Sequence, residues 1–193
     1  MQPERRSDAT RAAILRAARE RFAADGYQRA TIRAIAADAA IDPSMVMRYY
    51  GNKAQLFAAA VDVRLRLPDV AGIPRDRLGE TLVAHFIKRW EGDPSDDALL
   101  TLLRSAATDE AAASRLRDIF ASQVAPVALA VCPDPAEATV RAGLVATQML
   151  GLAFCRQILR LPPVVAATPS SLVVQVGATV QRYLTGELGA VLP

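Results

Sequence analysis

Apolar residues recur along this chain every three to four positions, with almost no stretch of alternation that asks for a strand, so the pattern predicts an all-α fold. Ala, Leu and Arg, all good helix formers, are abundant. A first helix is expected from Ser7 or Asp8, either of which can accept hydrogen bonds from free amides, with the stripe Ile14, Leu15, Ala18 and Phe22 and a stop at Asp25-Gly26. Thr31 then caps a short helix from Ile32 to Ala39 that buries Ile32, Ile35, Ala36 and Ala39. Ile41 and Asp42 make a tight connection to a third helix, from Pro43 to about Tyr50, where proline costs nothing in the first turn. Gly51 ends it, and Asn52 caps the next, from Lys53 to about Leu65, with Leu56, Phe57, Ala60 and Val61 on one side and Pro68 as its stop.

Longer and more apolar helices follow, from Arg75 to Trp90, Asp97 to about Thr108, Glu110 to about Val131, Pro135 to Leu161, and Thr168 to about Thr185. Pro and Gly mark the joins, and the total is about nine helices. The stretch Pro68 to Pro74 reads as a hinge or linker between two parts.

Composition narrows the classes. With 193 residues, 52% apolar and 22% charged, the chain is a folded globular protein, and disorder as its main state is excluded. Two lone cysteines, Cys132 and Cys155, make neither a disulfide scaffold nor a metal framework, which suits a reducing cytoplasm. Arg5, Arg6, Arg11, Arg16 and Arg19 in the first twenty residues leave no apolar core for a secretory signal. The most apolar run, Ala142 to Cys155, contains Thr147 and Gln148 and falls short of the ~18 residues of a membrane span. No membrane partner is expected.

The net charge of +3 is unevenly placed. Residues 1–57 hold ten basic side chains, nine Arg and Lys53, against six acidic ones, whereas residues 58–193 hold thirteen against fourteen. The basic excess therefore lies wholly in the first segment, as a face for a polyanion requires. Charge alone would fit a solvated arginine-rich helix better; the helical pattern changes that balance. Two short helices joined by a tight turn over Thr31 to Tyr50 make a helix-turn-helix, whose second helix can lie in a DNA major groove. Ile35, Ala36, Ile41 and Val46 can form its core with Leu15, Phe22 and Phe57, leaving Pro43, Ser44, Met45, Met47 and Arg48 outward. Core filling is the competing role for the two methionines.

The stretch from Arg11 to Phe57 closely resembles the DNA-binding domain of the tetracycline-repressor (TetR) family. The resemblance rests on F-A-x-x-G-Y from Phe22 to Tyr27, T-I-R-x-I-A-x-x-A from Thr31 to Ala39, Tyr49-Tyr50, and N-K-x-x-L-F from Asn52 to Phe57. The LLRSAATDEAAASRLR segment and the QRYLTG ending are similar to the family's C-terminal domain in an actinobacterial-type subgroup. The resemblance implies a three-helix DNA-binding domain over 1–57 and a ligand-binding and dimerisation domain over 58–193. It implies a sequence-specific transcriptional regulator, a repressor released from its operator by a small effector.

Carried onto this sequence, Thr31 and Arg33 match positions that meet the DNA backbone or a nearby base, Ser44, Met45 and Arg48 match base-reading positions, and Tyr49 and Lys53 match phosphate contacts. Arg48 can make a bidentate contact to guanine, and Met45 and Met47 can pack against thymine methyls. Lys53 could instead be a solvated helix-start lysine, and Tyr50 suits the core. Arg5 and Arg6 could reach a minor groove or lie in a tail. The chain departs from the family at Ala40, where glycine is usual in the turn, at Gly51 and at Met45. A positive φ at Ala40 would cost about 1 kcal/mol.

The resemblance also implies a homodimer, and the residues offer a reason. Gly143, Thr147, Gly151 and Cys155 form a small-residue stripe on a helix apolar nearly all round, ready to pack with Val173, Val176, Val180 and Tyr183 of the last helix against a second copy. Such an interface buries about 2,000 Å² or more. A two-fold then asks for a palindromic operator with half-sites ~34 Å apart, or a multiple of that. Phe86, Trp90, Leu103, Phe120, Met149 and Phe154 are candidate pocket residues, with His85, Arg104 and Gln148 as polar contacts, for a mainly hydrophobic effector. Each of these also suits plain core. The helix from Lys53 to Leu65 would transmit the change. No cofactor or metal is called for, and the absence of HExxH, GxSxG, Walker and GxGxxG patterns argues against an enzyme. The alternatives are an effector-independent DNA-binding protein, or a helical small-molecule carrier or enzyme.

Overall fold

The computed structural model of the protein describes residues 3–92 and 97–188. Every regular element among them is helical: α1 (Pro3–Arg29), α2 (Ile32–Asp38), α3 (Pro43–Tyr50), α4 (Lys53–Ala60), α5 (Leu78–Gly92), α6 (Asp97–Ser105), α7 (Glu110–Ile119), α8 (Ala125–Val131), α9 (Ala138–Ala153), α10 (Pro162–Ala166) and α11 (Pro169–Thr185). The nine expected helices all have counterparts. The single turn α10 is an addition, and a π turn over Phe120–Val124 separates α7 from α8 where one helix was expected. Pro126 explains that turn, because its ring crowds the carbonyl four residues back and it has no amide hydrogen to donate.

Two boundaries differ from expectation. Helix α1 begins at Pro3, so Ser7 and Asp8 lie inside it rather than capping it, and it breaks at Gly26, where φ is 72°. Helix α4 ends at Ala60 instead of near Leu65. Beyond it Val61 and Val63 are buried while Asp62 and Arg64 are exposed, a period of two that belongs to extended chain. The alternation of apolar and charged residues in VDVRLRL carried that signal.

The chain forms two compact units. One holds residues up to Val63 together with α6 and α7 as far as Leu116; the other runs from Arg64 through α5 and resumes at Arg117. The first unit is therefore wider than the expected 1–57 segment. In it α1 packs against α2, α4 and α6. Ile14, Ala18, Phe22, Ile35, Ala36, Val46, Leu56 and Phe57 are buried, whereas Leu15 and Ile41, expected in the core, are only half-buried. Phe22 and Phe57 meet edge-on at 4.9 Å, and Tyr27 lies 4.8 Å from Phe57. Such aromatic pairs add about 0.5–1.5 kcal/mol beyond their buried area.

In the second unit α11 lies along α5, with α8 and α9 beside it. The crossing of α5 and α11 needs Gly79 and Gly177: a Cβ on Gly79 would run into the Gly177 carbonyl, and one on Gly177 would come within 3.0 Å of the Glu80 Cα. Gln181 bridges the same crossing, accepting the Gly79 amide at 2.8 Å and donating to the Arg75 carbonyl at 2.8 Å. Arg141 of α9 is 3% exposed. It donates to Glu137 at 2.8 and 2.6 Å and to the Tyr183 and Gly186 carbonyls at 2.8 and 3.0 Å, which satisfies the end of α11. The helical stretch Pro135–Ile158 is, by length and composition, long and apolar enough to cross a membrane, contrary to the expectation drawn from the shorter run. Its place here is in the second unit, with Ala138, Arg141, Ala142, Val145 and Ala153 buried.

The turn after α2 does put Ala40 at the positive φ whose cost was weighed above. The Ile41 amide donates to the Ala36 carbonyl at 2.9 Å and the Ala40 amide to Ala37 at 3.0 Å, and Ala40 sits at φ 53° where glycine usually closes this motif. Ala40→Gly removes that strain at the cost of a looser unfolded chain. It is expected to stabilise the protein by about 0.5–1 kcal/mol, read as a raised urea midpoint with an unchanged m-value.

Candidate nucleic-acid interface

Short polar residues fix each end of the helix-turn-helix. The Thr31 hydroxyl accepts the Ala34 amide at 3.1 Å, Asp42 accepts the Ser44 amide at 2.8 Å, and Asn52 accepts the Gln55 amide at 2.8 Å. The bond from Ser44 holds the Asp42 carboxyl below its ordinary pKa. In α3 only Val46 is buried, so one side of a two-turn helix points into the core and the rest is left outside. Ser44, Met47 and Arg48 are exposed, Met47 to 44%, while Pro43, Met45 and Tyr49 are half-buried. Thr31 and Arg33 are exposed at the start of α2, and the Thr31 hydroxyl keeps its own proton to donate. Arg33 and Arg48 have no hydrogen-bond or ion-pair partner among the described residues.

Other cations are held inside the unit. Arg21 donates to both oxygens of Asp38 at 2.8 and 2.6 Å and to Asp25 at 3.2 Å, tying α1 to the end of α2. The Arg11 guanidinium lies 5.4 Å from the centroid of the Tyr49 ring. Tyr50 is half-buried and donates its hydroxyl to the Arg11 carbonyl at 3.2 Å, the structural role expected of it. Lys53 is not the freely solvated lysine of the competing reading. Its ammonium donates to the Gln28 carbonyl at 3.1 Å and stands 4.5 Å from the Tyr27 ring centroid. Burial, then the charge of Asp109, pushes the Tyr27 hydroxyl pKa up. Sequence reasoning missed Gln28, Asp109 and the Arg21–Asp38 pair, since each couples positions far apart along the chain.

Two of the expected pocket residues line one cleft. Phe86 and Trp90 come together, with ring centroids 5.6 Å apart, in a cleft completed by Ile87, Leu152, Ala153, Arg156 and Gln157. That cleft encloses only about 10 Å³, room for a water molecule. The Trp90 indole N–H is buried without an acceptor among the described residues. His85 instead bonds the Leu65 carbonyl at 3.0 Å, and Phe120 and Met149 pack on the core of the second unit. Gln148 is half-buried, and Phe154 is 39% exposed. Leu103 and Arg104 belong to α6 in the first unit, half-buried and exposed respectively. On α11, Val180 is fully buried and so cannot belong to the outer face foreseen for it, while Val173, Val176 and Tyr183 are half-buried, packed in part against their own core. The outward apolar residues are Val140 at 48% and Val174 at 53% exposed, and Gly143 and Gly151 face open space.

The family model described as bacterial regulatory proteins of the tetR family matches residues 14–60, and that of the tetracyclin repressor-like C-terminal domain matches residues 76–184. Among solved structures, a TetR-family regulator from Streptomyces coelicolor A3 is similar over 92% of this chain and 95% of its own, at 32% identity and a TM-score of 0.68. NalD of Pseudomonas aeruginosa, the secondary repressor of the MexAB-OprM multidrug efflux pump, shares the fold at 19% identity and a TM-score of 0.68, over 92% of this chain and 98% of its own. A transcriptional regulator from Rhodococcus sp. Rha1 does so at 20% identity and 0.64, over 90% and 95%. No curated protein matches the chain.

The Arg21 hydrogen bond holds the Asp38 carboxyl below its ordinary value, against the opposing pull of desolvation. A carboxyl whose folded pKa is depressed lends stability above its unfolded value of about 3.9 and loses it as pH falls through the folded value. Asp38→Asn is therefore expected to lower the urea midpoint at pH 7. The gap from wild type should narrow as pH falls below ~4, where Asp38 of the unfolded chain takes up its proton first, and close once the folded carboxyl protonates as well; a gap that stays unchanged throughout acid titration would contradict the pairing.

Proposed function

The chain belongs to the tetracycline-repressor family of DNA-binding transcription regulators, which are not enzymes, and from that premise we propose a repressor that leaves its operator when a small hydrophobic effector binds. The observation that carries this reading is the outer side of α3, where Ser44, Met47 and Arg48 are exposed and Arg48 has no partner among the described residues. Arg48 would read guanine, Ser44 and Met45 neighbouring base edges, and Met47 and Pro43 thymine methyls. Thr31, Arg33, Tyr49 and Lys53 would hold the phosphates. In function the DNA-binding part is 1–57 and the ligand and dimerisation part 58–193, acting in the cytoplasm on chromosomal DNA.

The homodimer would form through α9 and α11. Val140, Leu144, Thr147, Gly151 and Phe154 recur at helical spacing along one side of α9, each exposed or half-exposed, and Val174 adds the open side of α11. A second copy that covers this side presents two α3 helices to a palindromic site. That NalD is a repressor supports the sign of regulation. Phe86 and Trp90 are where an effector with an aromatic or apolar body would enter, with the unpaired Trp90 N–H offered to an acceptor. That cleft has room for only about one water as it stands, which leaves a second reading, a DNA-binding protein that answers to no effector.

Binding to duplex DNA from upstream of the protein's own gene, measured at several salt concentrations, tests the first part. Arg48→Ala is expected to relax preference at one base position at a cost of about 1–3 kcal/mol, whereas Lys53→Ala weakens all sequences and lowers the salt slope by about one. Equal losses from Arg48→Ala on every sequence would remove its base-reading role. For the second part, Trp90 is the one tryptophan of the chain. A hydrophobic compound that weakens DNA binding is expected to change Trp90 emission in parallel. Weakened binding with constant emission would move the effector site elsewhere, and a wide panel of compounds with no effect on binding would favour the second reading.

A further inference from the structure

We propose that Gln28 and Asp109 are positioning residues for DNA binding, holding the Lys53 ammonium where it meets a phosphate. The inference rests on the DNA-binding reading above and deepens it. Asp109 is 8% exposed and uses both carboxylate oxygens. One accepts the Ala112 amide at 2.9 Å and caps α7; the other accepts the Gln28 side-chain amide at 3.0 Å. Gln28 follows the break of α1 at Gly26, and its carbonyl accepts the Lys53 ammonium at 3.1 Å, beside the Tyr27 ring.

The chemistry of this arrangement favours positioning over neutralisation. Lys53 meets a carbonyl oxygen and a ring face, and no carboxylate pairs with it among the described residues, so its full charge stays available. One of its three N–H donors is used, and two remain for a phosphate. A lysine side chain loses rotamer entropy when fixed, and the bond to Gln28 removes part of that loss before DNA arrives. Gln28 is itself exposed, and what holds it in place is the buried oxygen of Asp109.

The test uses the full chain and duplex DNA from upstream of its gene, by fluorescence anisotropy over a salt series. Gln28→Ala removes the tie to Asp109, and Asp109→Ser keeps a capping oxygen for α7 but is too short to reach Gln28. Both variants are expected to bind about three- to tenfold more weakly, with a shallower salt dependence and an unfolding midpoint close to wild type. In a Lys53→Ala background, Gln28→Ala should add nothing. Wild-type affinity and slope in Gln28→Ala and Asp109→Ser, or losses that simply add to that of Lys53→Ala, would overturn the positioning role and leave the DNA-binding reading intact. Unchanged binding by Lys53→Ala would remove the phosphate contact and the positioning role together, and a wild-type chain that binds no duplex would overturn the DNA-binding reading itself.

Discussion

A helix of two turns does not hold together alone in water, since helices shorter than about 12–15 residues are marginal even with the best formers. Helix α3 has eight residues, so its existence depends on being anchored. The anchor is Val46, the buried residue of α3, where that helix packs against α2 and α4 in a unit whose Phe22, Phe57, Ile14 and Ile35 are also at most 1% exposed. Everything that Ser44, Met47 and Arg48 can do on the outside follows from that inner contact. A capped start at Asp42 and a stop at Gly51 limit the helix to the length the core can hold.

Electrostatics divide the arginines and the lysine of the first unit into two groups. Arg21 is spent on Asp38 and Asp25, which offset its charge, whereas Arg11 leans on the Tyr49 ring and stays exposed with its charge intact. Arg33 and Arg48 remain without partners among the described residues and supply the charge a polyanion would meet. Lys53 stands between the groups, fixed by a neutral acceptor yet still charged. The small basic surplus of this segment is thus concentrated in a few side chains whose neighbours leave them available.

The second unit is organised by close approach and by one buried cation. Gly79 and Gly177 let α5 and α11 touch at backbone distance, and Arg141 closes the end of α11 from within an otherwise apolar helix. A buried guanidinium is tolerable only with its donors satisfied, and Glu137 with two carbonyls does this. The cleft at Phe86 and Trp90 is small, so any ligand larger than a water would have to widen it.

Helix positions, caps and the helix-turn-helix were legible along the chain because each depends on neighbours within a turn or two. Thr31, Asn52 and Thr168 cap the helices they were expected to cap, and Ala40 takes the positive φ that its place in the turn requires. Even the early end of α4 was written in the alternation after Ala60. What tertiary structure alone decided were pairings across long sequence distances: Gln28 with Asp109, Arg21 with Asp38, Gly79 with Gly177, and Arg141 with the end of α11. It also turned Val180 inward and Phe154 outward, a choice the apolar character of these residues leaves open. Periodicity names the side of a helix that will be buried, but what it is buried against depends on how the other helices cross it.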